Sequence, residues 1–256
     1  MNTNLQYVFI VPYRDRVPHK IFFQHYMKSI LEDYDTTSYE ILFVHQKNNL
    51  PFNRGAMKNI GFLYIKEKYP IQYKKIVFIF NDVDTVPYKK GLLDYNVSFR
   101  EIKHFYGYTF ALGGIFSIRG EDFELLNGFP NYWGWGFEDN IMNKRAIQHK
   151  ININRSTFYP IQSMEILHFF DEKHKQMDRN ILNTQFIKGY QEDDGLKTIH
   201  ELNYKMNKET NMLDVSHFKS KYSHNQMNTF THDVTSSNRF KNPVNRRSSS
   251  MKMKFF

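Results

Sequence analysis

The sequence contains no cysteine among its 256 residues. This absence excludes a disulfide framework, a cysteine-ligated zinc site, an iron–sulfur cluster and a thiol nucleophile. No window approaches 18 apolar residues, and the first residues lack a basic segment followed by an apolar stretch. Neither a membrane span nor a signal peptide is therefore predicted. Together these absences predict a cytoplasmic location.

Glycine-rich phosphate-binding signatures are also missing. Neither Gly-x-Gly-x-x-Gly nor Gly-x-x-x-x-Gly-Lys-Ser/Thr occurs, which argues against a dinucleotide Rossmann site and against a P-loop. General disorder is excluded as well, because 41% of the residues are hydrophobic. The chain is long enough for one large α/β domain with a sizeable core.

Short apolar runs alternate with segments of helical periodicity over the first third of the chain. This alternation is typical of βαβ units in a mostly parallel sheet, and so of the α/β class. Strands are predicted at 7–12, 39–45, 76–81, 111–119 and 161–170. Helices are predicted at 16–33, 54–68, 120–127, 138–149 and 173–190.

The character of the sequence changes after about residue 204. Residues 205–256 are rich in Asn, Ser, Lys and Met and lose apolar periodicity, so they are predicted to form a flexible, basic C-terminal tail after a folded domain over 1–204. The last 18 residues carry six basic residues and no acidic one, which is two thirds of the net charge of +9. The tail could touch an anionic surface or be a solvated extension.

Two carboxylates follow the most apolar predicted strand. Asp82 and Asp84 come directly after 76–81, and in open α/β sheets ligands bind at the carboxyl ends of strands. Carboxylate oxygens suit Mg²⁺ or Mn²⁺, and these cations bridge readily to phosphates. The alternative is an ordinary acidic turn.

Both tryptophans of the chain lie in one glycine-rich segment, 128–137. Flat aromatic faces beside carboxylates suit a sugar, and the glycines allow close approach of a ligand to the backbone. Glu138 and Asp139 would open the next helix, whose dipole favours their ionised forms, and an ionised Asp there could act as a general base toward a hydroxyl. The alternative is an aromatic mini-core with acidic residues at a helix start.

Five ordered segments together resemble glycosyltransferase family 7, the β-1,4-galactosyltransferases and their relatives. The segments are Pro12-Tyr13-Arg14-Asp15-Arg16, Phe52 through Phe62, Asp82-Val83-Asp84-Thr85-Val86-Pro87, Gly113-Gly114-Ile115 and Asn127 through Asp139. The resemblance extends to Asp193-Asp194-Gly195-Leu196 and covers about residues 7–204.

The resemblance implies a GT-A-type, Rossmann-like nucleotide-sugar fold with a mixed, mostly parallel central sheet, so that residues 1–204 are the glycosyltransferase domain. It also implies an inverting, metal-dependent transfer of galactose, or of a related hexose or N-acetylhexosamine, from a UDP-sugar to a hydroxyl of a glycan acceptor. Mn²⁺ or another divalent cation would neutralise charge that develops on the departing UDP.

The resemblance also assigns roles to individual residues. Asp139 is the implied general base, Glu138 holds donor or acceptor hydroxyls, and Asp84 and His168 bind the metal. The implied substrate-binding residues are Pro12, Tyr13, Arg14 and Arg16 at the uridine and diphosphate, Phe52, Asn53 and Arg54 beside the nucleotide, Asp82 on the ribose or uracil side with Val83 next to it, Gly114 in the Gly-Gly motif, and Trp135 and Gly136 toward donor and acceptor.

The chain departs from the family at the third metal motif, which is Met-x-x-His or His-x-His. Here Met164 lies one residue too far from His168, whereas Glu165 has the three-residue spacing. Strand alternation would place Met164 and Ile166 on the face of His168 and send Glu165 the other way. Whether Met164, Glu165 or neither completes the metal site stays open.

Two further departures concern the substrates. The third acid of the family's Glu-Asp-Asp run is Asn140, which leaves the choice of acceptor open. Vertebrate galactosyl enzymes place a bulky Tyr where this chain has Ala111, so space near the donor's C2 group is predicted, with GlcNAc or GalNAc tolerated as well as galactose.

Two alternatives to sugar transfer fit parts of the sequence. A catalytically degenerate nucleotide-sugar or carbohydrate-binding module would fit the odd metal motif, although the retained acids argue against it. Nucleic-acid binding does not explain the motifs, and most of the positive charge lies in the tail. Family members usually carry a membrane anchor, and many have disulfides, whereas this sequence shows no anchor and no cysteine. The sequence therefore predicts a cytoplasmic enzyme of a bacterium or of a virus that replicates in cytoplasm.

Overall fold

The structure, a computed structural model, describes residues 4–169, 174–181 and 193–233. The strands are β1 (Tyr7–Tyr13), β2 (Tyr39–Gln46), β3 (Val77–Asn81), β4 (Thr85–Pro87), β5 (Glu101–Gly107), β6 (Ile115–Arg119), β7 (Asn152–Asn154), β8 (Tyr159–Pro160), β9 (Ile166–His168), β10 (His174–Asp178), β11 (His200–Asn207), β12 (Met212–Lys219) and β13 (Thr229–Asp233). The α-helices around the sheet are α1 (Val17–Ile30), α2 (Arg54–Lys68), α3 (Gly120–Leu125) and α4 (Glu138–Gln148).

A nine-stranded mixed sheet forms the centre of the molecule. Its strands run in the order β11-β12-β2-β1-β3-β6-β5-β7, and β8 pairs with β5. The pairs around β1 and β2 are parallel, whereas β6 is antiparallel to both β3 and β5. This arrangement confirms the predicted α/β fold with a mixed, mostly parallel sheet. It also brings the ends of β1 and β3 together at one edge.

Apolar residues on both faces of the sheet explain why the central strands form where they do. Every residue of β3 is buried, as is typical of a strand covered on both faces. On one face α2 contributes Met57 and Ile60 to the core, and on the other α1 contributes Phe23 and Met27. A Cβ at Gly61 would lie 2.8 Å from a methyl carbon of Val44, so this glycine lets α2 pack close to the sheet.

The predictions of a strand at 161–170 and a helix at 173–190 are wrong over the residues that the structure describes. Instead of one strand over 161–170, the chain forms β9 against β4; instead of a helix, 174–178 form β10 against β13. The partner of β10 lies about fifty residues further along the chain, so local periodicity could not reveal the pairing. Residues 170–173 and 182–190 of this prediction lie outside the described residues.

The predicted tail boundary also needs correction. Residue 204 falls inside β11, and β12 pairs in parallel with β2, with Leu213 and Val215 fully buried. Residues 205–219 therefore extend the central sheet, while 239–256, which carry the basic cluster, lie outside the described residues. Within the described ranges, the helices are too short or too polar to cross a bilayer.

Candidate active site

A cleft of about 360 Å³ opens where β1 and β3 end. The loop after β1 forms one wall, the turn after β3 forms the floor, and segments 134–135 and 175–176 close the other side. The lining residues are Pro12, Arg14, Asp15, Arg16, Phe52, Arg54, Asp82, Val83, Asp84, Gly134, Trp135, Lys175 and Gln176. Most of the residues that the family resemblance assigned to the nucleotide thus surround one cavity, in the position where α/β sheets bind ligands.

The ring of Phe52 lies between two arginines in this cleft. The guanidinium carbon of Arg14 is 5.2 Å from the ring centroid, and that of Arg54 is 5.6 Å from it. Arg14 also donates a hydrogen bond to the backbone carbonyl of Leu50, which holds the loop before α2 against the loop after β1. Two cations beside a flat ring offer both charge and a stacking surface to an anionic, aromatic ligand.

Asp84 lies at the centre of a second cluster. Its Oδ2 accepts a 2.7 Å hydrogen bond from Nη1 of Arg16, and its Oδ1 is 3.9 Å from Nε2 of His168. The Tyr106 hydroxyl is 2.7 Å from Nδ1 of the same ring and fixes its orientation. Burial lowers the pKa of His168, although Asp84 acts in the opposite direction, so the imidazole is neutral near pH 7.

A carboxylate and a neutral imidazole that face each other are suitable ligands for Mn²⁺. Asp84 and His168 therefore fit the metal that the resemblance implies. Met164 is 87% exposed, and the Glu165 carboxylate accepts a 2.5 Å hydrogen bond from the Ser163 hydroxyl. In the part of the chain that the structure describes, no third His, Cys, Asp or Glu joins a metal-binding group. Of the three possibilities left open for Met164 and Glu165, the structure supports the one in which neither contributes.

Two acids lie beside Arg54 at the floor of the cleft. Its Nε is 3.9 Å from Oδ1 of Asp82, and its Nη1 is 3.4 Å from Oε1 of the buried Glu138. Burial alone would raise the pKa of Asp82, but Lys58 and Arg54 reverse the effect and lower it. Asp82 therefore stays ionised, although its buried Oδ1 has no hydrogen-bond partner.

Asp139 forms an ion pair with Lys58. Nζ of Lys58 is 2.9 Å from Oδ1 of Asp139, and the side chains are 1% and 25% exposed. Burial is the main reason why the pKa of Asp139 is raised, to about 7, and the charges of Glu138 and Asp82 add to it while Lys58 opposes it. A carboxyl group that titrates near neutral pH is well matched to proton transfer.

The Gly-Gly motif lies directly against Asp139. A Cβ at Gly113 would lie 2.3 Å from Oδ2 of Asp139, so the absence of a side chain makes room for the carboxylate. The peptide N–H of Leu112 also donates a 2.9 Å hydrogen bond to the backbone carbonyl of Asp139. Gly114 has a positive φ of 69°, and a Cβ there would lie 2.4 Å from the carbonyl oxygen of Tyr106. These two glycines fix the loop that holds the proposed base.

Left-handed backbone conformations bring Glu138 and Asp139 to the first turn of α4. Gly134, Gly136 and Phe137 have positive φ values, and Phe137 is the N-cap residue. The Trp135 N–H donates a 2.7 Å hydrogen bond to the Gln176 carbonyl, which joins the segment to β10. The strained Phe137 and the acids in the first turn are typical of a functional helix start.

Four predicted substrate-binding residues do not line the cleft. Tyr13 is buried in the core against Phe43 and His45. Asn53 caps α2 by accepting a hydrogen bond from the Ala56 N–H, and it donates another to the Asn131 carbonyl. Gly114 and Gly136 are not among the lining residues: the Gly114 carbonyl accepts a hydrogen bond from the Asp82 N–H, and Gly136 shapes the turn into α4.

The structure adds residues that the sequence did not single out. Lys175 and Gln176 line the cleft from β10, and Lys58 reaches Asp139 from α2. The position of Lys58 one helical turn after Arg54 was a signal available in the sequence, because residues four apart share a helix face. No such signal marks Lys175, because β10 is placed by long-range contacts, its pairing with β13 and the hydrogen bond from Trp135 to Gln176.

Two protein-family models match the chain. The model described as the N-terminal region of glycosyl transferase group 7 matches residues 2–96, and the model described as the N-terminal domain of galactosyltransferase matches residues 94–175. The matched residues run from before β1 through β9 and include Asp84, Asp139 and His168.

Curated relatives are galactosyltransferases. Human β-1,4-galactosyltransferase 1 is 27% identical over 203 residues, which cover 74% of this chain and 49% of the relative. The xylosylprotein 4-β-galactosyltransferase of Caenorhabditis elegans is 32% identical over 155 residues, which cover 57% of this chain and 52% of the relative. The chain thus spans about half the length of these relatives.

Solved structures share the fold. The catalytic domain of Drosophila β1,4-galactosyltransferase 7 in complex with xylobiose has a TM-score of 0.69 and 21% identity, with 87% of this chain and 97% of that chain covered. A mutant of the Drosophila enzyme in complex with manganese, UDP-Gal and xylobiose has a TM-score of 0.63 and 20% identity over the same shares.

Proposed function

Because the chain belongs to glycosyltransferase family 7, we propose that it is an inverting, metal-dependent glycosyltransferase. It moves galactose or a related sugar from a UDP-sugar to a hydroxyl of a glycan acceptor and forms a β-glycosidic bond. The observation that carries this proposal is the position of Asp139, which lies against Gly113 in the first turn of α4 and pairs with Lys58, one helical turn after the cleft-lining Arg54. The matched relatives, which are named as galactosyltransferases, support the same reaction.

The cleft provides what a UDP-sugar needs. Arg14, Arg16 and Lys175 bring positive charge for a diphosphate, and Phe52 offers a ring face for the base or ribose. Trp135 lies at the end of the cleft nearest α4, where its indole can pack against a sugar. The similarity to a domain solved with manganese, UDP-Gal and xylobiose supports a UDP-sugar as the ligand of this cleft.

Asp139 takes the acceptor's proton in the proposed reaction. The acceptor oxygen attacks the anomeric carbon as its proton passes to the carboxylate, and the bond from that carbon to the phosphate oxygen breaks with its electron pair leaving on UDP. Asp139 must be ionised to accept the proton, and Glu138 is placed to hold a sugar hydroxyl near it. A single displacement of this kind inverts the anomeric centre.

Asp84 and His168 would hold the divalent cation, which would offset the charge that develops on the departing diphosphate. The Arg16 guanidinium, which donates a hydrogen bond to Asp84, would add a second positive charge next to the diphosphate. Two protein ligands leave coordination positions for phosphate oxygens, as is usual for cations that bind nucleotides.

We expect the enzyme to accept donor sugars other than galactose. Ala111 is buried two residues before Gly113, and its side chain occupies less volume than a tyrosine at that position would. UDP-Gal, UDP-GalNAc and UDP-GlcNAc should therefore all be used, and Ala111→Tyr should reduce the use of the two N-acetylated donors. Steady-state rates of UDP release measure this; strict use of UDP-Gal by the wild-type chain contradicts it.

The experiment that tests the proposed function is a screen of UDP-sugars with Mn²⁺ and with EDTA, read out as UDP release, followed by an acceptor array with the best donor. We expect release that depends on metal and increases with acceptor. A β-anomeric proton in the product, measured by NMR, would establish inversion. Binding of UDP-sugar without turnover on any acceptor would instead support a degenerate nucleotide-sugar-binding module.

A further inference from the structure

Helix α2 carries a buried lysine. Lys58 follows the core residue Met57, precedes the buried Asn59 and is 1% exposed. Its Nζ is 4.5 Å from the ring centroid of Phe129. Burial of an ammonium group is costly unless it is paired, and an apolar residue would serve packing better. The pairing of this lysine therefore needs a functional explanation.

The pairing is with the proposed base and is part of a matched arrangement. Arg54 and Lys58 are four residues apart on α2, and Glu138 and Asp139 are consecutive at the start of α4. Arg54 reaches Glu138 at 3.4 Å, and Lys58 reaches Asp139 at 2.9 Å. Each acid of the α4 start thus has its own cation from one face of α2.

The two oxygens of Asp139 have different surroundings. Oδ1 accepts the hydrogen bond from Lys58, whereas Oδ2 lies over Gly113, where a Cβ would be 2.3 Å away. The Leu112 N–H holds the backbone carbonyl of the same residue. The carboxylate is thereby fixed with one oxygen bound to the lysine and the other directed to the Gly-Gly loop.

We propose that Lys58 is a positioning residue for Asp139: its ammonium group binds Oδ1, orients Oδ2 toward the acceptor hydroxyl, and places a positive charge among the neighbouring acids. The inference rests on the proposed function, since it assigns a role to a residue that acts through the general base. Lys58 keeps its own proton throughout; the acceptor's proton goes to Oδ2 of Asp139.

The charges that face Asp139 support this role. From α2 these are Lys58 and Arg54, from α4 Glu138, and from the turn after β3 Asp82. Burial, Glu138 and Asp82 raise the pKa of Asp139 to about 7, and Lys58 opposes them, so loss of the lysine raises that pKa further. Burial works against the charge of Lys58, but the three carboxylates raise its pKa, so it stays protonated.

The test compares Lys58→Met, Lys58→Gln and Lys58→Arg in the full chain, with Lys68→Met as the control. Lys68 lies on the same helix but pairs with Glu40 at the surface, 2.9 Å away. For each variant, kcat is measured as UDP release from pH 5 to 9, and the Kd of UDP with Mn²⁺ and the melting temperature are measured separately.

For Lys58→Met and Lys58→Gln we expect the acidic limb of the kcat profile to move to higher pH by about one unit or more, with the Kd of UDP within about twofold of wild type. Lys58→Arg should keep the limb within about half a unit, because it retains the charge, and Lys68→Met should leave the profile unchanged. Lys58→Gln keeps a donor without the charge and carries the test if Lys58→Met does not fold.

An unchanged acidic limb and unchanged kcat in a folded, charge-free variant would overturn the inference while leaving the proposed function intact. Absence of UDP release from the wild-type chain with every donor and acceptor would overturn the proposed function itself, and the role of Lys58 with it. A loss of melting temperature with no movement of the limb would assign Lys58 a structural role only.

Discussion

At the scale of single residues, the site depends on a few side chains whose positions are fixed from more than one side. Asp84 is held by Arg16 and faces His168, which Tyr106 orients in turn. Asp139 is held between Lys58 and Gly113. In each case the acid lies in contact with a basic side chain, at 2.7 Å for Asp84 and 2.9 Å for Asp139.

Asp84→Asn should weaken metal activation. The amide keeps the shape of the side chain but loses the charge that a divalent cation binds, so the Mn²⁺ concentration for half-maximal UDP release should rise at least about tenfold. Asp33→Asn is the control, because Asp33 is exposed and pairs with Lys90 at the surface. An unchanged Mn²⁺ dependence in the Asp84 variant would show that the metal binds elsewhere.

Gly113→Ala should lower kcat strongly. The added methyl group would lie 2.3 Å from Oδ2 of Asp139, so the carboxylate must move, and displacement of a catalytic group by about 1 Å costs on the order of 100-fold in rate. Gly91→Ala is the contrast, since it adds strain at a φ of 68° with no atom within 4 Å. Equal kcat values for the two variants would contradict the contact between Gly113 and Asp139.

Individual residues of the nucleotide cleft were largely predictable, because the motif after β1 and the acids after β3 both lie at strand ends. Tyr13 was not, since it belongs to β1 itself and strand alternation directs it into the core between Phe43 and His45. Lys58 was missed because its partner comes from a helix eighty residues away.

At the scale of elements, the segment before α4 is anchored by a buried polar network. Asp194 accepts hydrogen bonds from the Asn131 backbone N–H at 2.6 Å and from the Thr198 hydroxyl at 2.7 Å. The Asn59 side chain from α2 bonds to both the N–H and the carbonyl of Phe129. The loop that leads into the Trp-Gly-Trp-Gly segment is therefore fixed from two elements.

Asp194→Ala should destabilise the fold. It leaves the buried polar groups of Asn131 and Thr198 without their acceptor, and the expected loss is about 2–4 kcal/mol of unfolding free energy. Asp193→Ala, next to it, removes only an exposed ion pair with Lys221 and should cost less than about 1 kcal/mol. Urea unfolding measures both; similar losses would mean that the network does not anchor the loop.

Helix α2 and strands β1 to β3 could be predicted because their periodicity is local: Arg54–Lys68 reproduces the predicted helix. Strands β10 and β13 could not, because they pair with each other across fifty residues and are short. Strand β12 could not be predicted for a similar reason, because its pairing with β2 is a tertiary contact. Its composition also resembles that of the polar segments around it.

At the scale of the whole molecule, β11 and β12 extend the central sheet as far as residue 219. Strand β12 covers the edge of β2, and Phe218 stacks on Trp133 with ring centroids 5.1 Å apart. The Trp133 indole N–H donates a 2.7 Å hydrogen bond to the Tyr222 carbonyl. The region predicted as a tail thus supports the segment that leads to Trp135.

Two truncations should separate the sheet from the basic cluster. A chain that ends at residue 204 loses β12 and exposes the edge of β2, so it should be insoluble or lack a cooperative melting transition. A chain that ends at residue 238 loses only the basic cluster and should keep both its melting temperature and its UDP release. A stable, active chain of 204 residues would contradict the placement of β12 in the core sheet.

The most direct test of the central claim compares the wild-type chain with Asp139→Asn, using the best donor and acceptor with saturating Mn²⁺. Removal of a general base should lower kcat by about 10²- to 10⁴-fold while the Kd of UDP stays within about twofold. If Asp139→Asn keeps kcat within about tenfold of wild type, Asp139 is not the group that takes the acceptor's proton.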